Sequence, residues 1–75
     1  MTKELYIMLK TSAEADKAKA LLSLDLLGNK AVGIGDHSTE DFYKNAEEAL
    51  VTLVDADDRL STLEKYFNSP TTLKG

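Results

Sequence analysis

Cysteine is absent from the chain, so no disulfide framework staples the fold and no thiolate metal site exists. Histidine and proline occur once each, as His37 and Pro70. No apolar run exceeds the five residues Leu5 to Leu9. That is too short for a membrane span or a signal-peptide core, so the expected address is the cytoplasm, with no membrane partner. No cluster of lysine or arginine exists either. A chain without one cannot replace the counterions of a phosphate backbone, which excludes nucleic acid as the expected partner.

What is present is acid and aliphatic side chain. Hydrophobic residues make up 43% of the 75 residues, and the formal charge is −4. The charge is uneven. Residues 36–58 hold eight acids against Lys44 alone, a net −7, while residues 1–35 carry +1 and residues 59–75 carry +2. At this length a folded chain buries only about 60% of the surface it exposes when unfolded. A thin core without covalent staples leans on packing or on self-association.

Along the chain, residues 5–10 alternate Leu5, Ile7 and Leu9 against Tyr6, Met8 and Lys10, and read as a first strand. Thr11 to Glu14 spells a capping box, which places a helix over 12–27, closed by Gly28 as a left-handed cap. Residues 30–35 read as a glycine-weakened second strand, and Ser38 as the cap of a short helix. Residues 49–54 fit two readings. Phe42, Ala46, Leu50 and Leu53 share a helical face, yet the run is short, β-branched and apolar on both sides, and is bounded by the helix-start signal Asp55-Ala56-Asp57-Asp58. Read as a third strand, it precedes a helix over 57–68 that buries Leu60, Leu63 and Phe67 and stops at Ser69-Pro70.

The expected fold is therefore α+β, a small ferredoxin-like sandwich in the order β-α-β-(α)-β-α. It forms a single domain over 1–70, with 71–75 as a tail or a short last edge strand. A three-stranded parallel α/β sheet is the alternative. Helix 1 carries one apolar stripe of Ala15, Ala18, Leu22 and Leu26, expected to be its buried face, and a second on nearly the opposite side made by Ala13, Ala20, Leu24 and Leu27.

Residues that could carry chemistry are few. Asp36, His37, Glu40 and Asp41 suggest a metal set, but their spacing matches no recognised zinc or calcium pattern. A helix N-terminus, which they also describe, disfavours a cation. Gly33-Ile34-Gly35 followed by His37 and Ser38 offers half of a phosphate-binding fingerprint beside acids that oppose an anion. No catalytic residue, metal or cofactor is assigned. The expected function is a non-catalytic regulatory protein that contacts a protein partner, or itself, through the Ala13, Ala20, Leu24 and Leu27 face of helix 1. Asp36, Glu40, Asp41, Glu47 and Glu48 would steer the encounter. The alternatives are a small metal-dependent or acid-assisted enzyme using residues 36–41, and a metabolite sensor at Gly33, Gly35, His37 and Ser38.

Overall fold

A computed structural model describes residues 1–29 and 39–67 of the chain. The first described segment folds as one α-helix, α1 (Lys3–Gly28), and the second as another, α2 (Thr39–Phe67). Among the described residues there is no strand, which overturns both the ferredoxin-like sandwich and the parallel-sheet alternative. The molecule is a rod of 53 × 15 × 14 Å in which α1 and α2 run antiparallel along each other.

Both helices follow from strong helix formers over long stretches without proline or interior glycine. Helix α1 starts nine residues before the expected position. Its N-cap is Thr2, in extended backbone, whose Oγ1 accepts from the Leu5 amide at 3.2 Å. The expected capping box at Thr11 is consequently mid-helix. At the other end Gly28 is the last helical residue and a Cβ there would meet nothing, so no conformational need for glycine exists. Asn29 closes the helix instead: its side-chain amide donates to the Asp25 carbonyl at 2.8 Å and its backbone amide to the same carbonyl at 3.1 Å. Helix α2 carries Glu40 and Asp41 in its first turn and Lys65 in its last, each favourable to the helix dipole.

The two expected strands that lie within the described residues, 5–10 and 49–54, are helical. Alternation over five or six residues does not separate strand from helix. What decides is spacing over the whole length. The buried residues of α1 are Tyr6, Ala13 and Ala20, seven apart, and those of α2 are Ala49, Ala56 and Leu63, also seven apart. Half-buried Phe42, Ala46, Leu53, Leu60 and Phe67 complete the α2 stripe in steps of four and three. A seven-residue repeat keeps two helices in contact when they coil around each other. Alanine at four of the six buried positions lets the backbones approach near the close end of the usual 8–10 Å range. The expected second strand, 30–35, the Ser38 cap and the 71–75 tail lie outside the described residues.

Close approach has a cost in core volume. Each buried alanine removes only about one methyl group from water, on the order of 0.8 kcal/mol. Tyr6 and Leu63 are the large side chains buried among the described residues. The hairpin therefore holds together with little apolar burial and leaves much apolar surface outside.

Candidate functional site

Two ion pairs bridge the helices and a third lies within α2. Arg59 Nη2 donates to Asp16 Oδ2 at 2.7 Å across the seam, and Lys17 Nζ lies 3.1 Å from Asp57 Oδ1. Asp55 stands one turn before Arg59, with its Oδ2 at 3.0 Å from Nε, an ion pair within α2. The hydrogen bond that Arg59 donates to Asp16 raises the Arg59 pKa above its ordinary value, partial desolvation opposes it, and the charge of Asp55 adds to the rise. These acids were expected to start a helix at 55–58. Asp55 and Asp57 instead engage side chains from the middle of α2.

The same register places Leu24 and Leu27 beside α2. The four residues expected to form an interaction face thus belong to the chain's own packing. Ala13 and Ala20 are buried, and Leu24 and Leu27 are half-buried. The stripe expected to be core is the one left outside: Ala15, Ala18, Leu22 and Leu26 are all exposed, joined toward the N-terminus by Leu5 and Met8. The two faces of α1 were separable in the sequence; which of them met a partner within the chain was not.

A second exposed patch lies on α2. With Ala49 and Leu53 turned to the seam, Leu50, Val51 and Val54 point outward at 53–68% exposure, and Tyr43 stands one heptad before Leu50. Reading 49–54 as a strand buried on both faces concealed this patch. The uninterrupted spacing of Phe42, Ala49, Ala56 and Leu63 was the signal that could have shown it. The patch borders Asp55 and Asp58. Of the expected steering acids, Glu40, Asp41, Glu47 and Glu48 are exposed on α2, and Asp36 lies outside the described residues. The acids are segregated: α1 has four cations and four acids, whereas α2 has eight acids against Lys44, Arg59 and Lys65, a net −5.

Gly33, Gly35, His37 and Ser38, the expected ligand site, lie outside the described residues, so the 36–41 cluster is seen only at Glu40 and Asp41. Among the described residues no group of three or more histidine, aspartate or glutamate side chains could hold a metal ion. No described helix is long and apolar enough to cross a membrane. The geometry defines an antiparallel two-helix hairpin with a narrow alanine seam and apolar outer faces. No family model, curated protein or solved structure matches the chain.

Proposed function

We propose that the chain is a non-catalytic binding module that acts by protein–protein contact through the outer faces of its helices. One observation carries this reading. Twelve large apolar side chains are exposed among the described residues, against two, Tyr6 and Leu63, that are buried. Scattered surface leucines need no explanation, but Leu50, Val51 and Val54 form a contiguous patch on α2, as docking surfaces do. On α2 the apolar patch of Leu50, Val51 and Val54 sits within the acidic helix. Its complement is a protein segment with apolar anchors and basic flanks, drawn in by charge and held by burial.

The test is affinity capture from native extract with the wild-type chain and with Leu50→Ser/Val54→Ser, both checked for helix content. The expected result is a stoichiometric protein partner that the double variant loses and that weakens as salt rises. Capture that ignores the double substitution, with the helices intact, overturns the assignment of the α2 patch.

A further inference from the structure

We propose that the outer face of α1 pairs antiparallel with the same face of a second copy, making a four-helix assembly of two hairpins with both α2 helices outermost. This rests on a different surface from the α2 patch. Leu5, Met8, Leu22 and Leu26 are 43–59% exposed, and with Ser12, Ala15 and Lys19 they recur in alternating steps of three and four. That is the periodicity of the seam, repeated on a neighbouring face of the same helix, where Lys19 and Leu26 also border the groove to α2. A helix with two such stripes is shaped to pack against two neighbours, and the hairpin supplies one.

Self-complementarity identifies the second neighbour. Side chains on two antiparallel helices with this repeat interdigitate only in registers seven residues apart. In one of these, Leu5 faces Leu22 of the partner subunit, and Leu26 faces Met1 of the partner subunit. Ser12 faces Ala15 of the partner subunit, small against small, and the Lys19 stem covers Met8 of the partner subunit with its ammonium free to reach water. Shifting by seven residues keeps one apolar pair, Leu26 on Met8 of the partner subunit, but sets Leu22 against Ser12 and Leu5 against Asn29, so it buries fewer leucines. The favoured contacts are reciprocal, as a twofold interface requires.

Charge makes the same choice of face. Helix α1 is neutral overall and α2 carries −5, so pairing through α1 keeps the two acidic helices apart, while pairing through α2 opposes them. A contact along one helix face, from Leu5 to Leu26, is roughly 32 Å long. It reaches the low end of specific interfaces, about 1,000 Å² in all. The register also sets Glu4 beside Asp25 of the partner subunit at each end. These like charges repel, so added salt strengthens the dimer, opposite to the salt dependence of the partner bound by α2.

The absence of cysteine allows a direct test on purified protein, without any other partner. Leu5→Cys and Leu22→Cys proteins are mixed and treated with a short thiol cross-linker. The expected product is the mixed dimer, with little of either homodimer, since like positions sit about 25 Å apart along the helices. Leu5→Ser/Leu22→Ser, on exposed positions, should keep the helices and weaken association at least tenfold by sedimentation equilibrium, while Val51→Ser leaves it unchanged. Homodimer products in place of the mixed one, no cross-linked product at micromolar protein, or association unaffected by the double substitution would each overturn the proposal. None of these outcomes bears on the α2 patch, whose own test is partner capture.

Discussion

Ala56→Asp should leave the purified chain unfolded at 25 °C. Ala56 is fully buried where α1 and α2 meet, in a seam whose alanines set the spacing. A carboxylate there loses its water and meets no free cation. Arg59 is already engaged by Asp16 and Asp55, and Asp55 and Asp57 stand on either side. Burying an uncompensated charge costs at least about 3 kcal/mol. A domain of this length holds on the order of 4–11 kcal/mol, and so thin a core belongs near the bottom of that range. Far-UV circular dichroism should show the helical signal lost. Ala56→Ser, which adds one small hydroxyl able to bond back to the helix carbonyls, should melt as a folded protein. An Ala56→Asp chain that melts within a few degrees of the wild type would mean that the seam is not where the structure puts it.

Leu63→Ala and Val51→Ala form a matched pair with opposite expectations. Leu63 is a large aliphatic side chain buried between the helices, while Val51 is 68% exposed on the outer face of α2. Truncating a buried leucine costs about 2–5 kcal/mol, and the lower part of that range applies because the narrow seam can partly collapse. At about 4–8 °C per kcal/mol for a domain of this size, Leu63→Ala should lower the melting temperature by roughly 10 °C or more. Val51→Ala should stay within about 0.5 kcal/mol, and the gain in helix propensity works in its favour. In an α+β sandwich with 49–54 as a central strand, Val51 would be core and its truncation costly as well, whereas Leu63 is buried in either fold. Thermal melts of the two variants therefore distinguish the folds as well as the sites.

Sequence reasoning came closest where helical signals were long. The helical character of 12–27 and 57–67 was legible from Ala, Leu, Lys and Glu content, and both apolar stripes of α1 were visible. It failed at short apolar runs. Leu5 to Lys10 alternates as a strand would, but Leu, Met and Lys are helix formers, and Tyr6 lies in the heptad series of Ala13 and Ala20. Val51 and Val54 suggested a strand by their branching, yet seam packing of Ala49, Leu53 and Ala56 overrides that weak preference. Asp55, Asp57 and Asp58 resembled a helix start because acids favour one; two of them make side-chain ion pairs instead. Ala13, Ala20, Leu24 and Leu27 were read as open to a partner, but the seam within the chain buries the two alanines and half-buries the two leucines. Each stripe holds two alanines and two leucines, so composition did not separate them; the seven-residue spacing of Tyr6, Ala13 and Ala20 did.

The central claim is that α1 and α2 pack antiparallel along one seam, with Ser12 and Thr62 on the same groove. It is tested by pulsed electron–electron distance measurement between spin labels on introduced cysteines, diluted into unlabelled protein to isolate distances within one chain. Two pairs suffice, Ser12→Cys/Thr62→Cys and Ser12→Cys/Asn45→Cys. Asn45 and Thr62 are 17 residues apart on one helix, or about 25 Å along its axis. The hairpin predicts a first distance within about 20 Å, given helix axes 8–10 Å apart, and a second well beyond it. Equal distances, or a first longer than the second, would contradict the fold and everything argued from its faces.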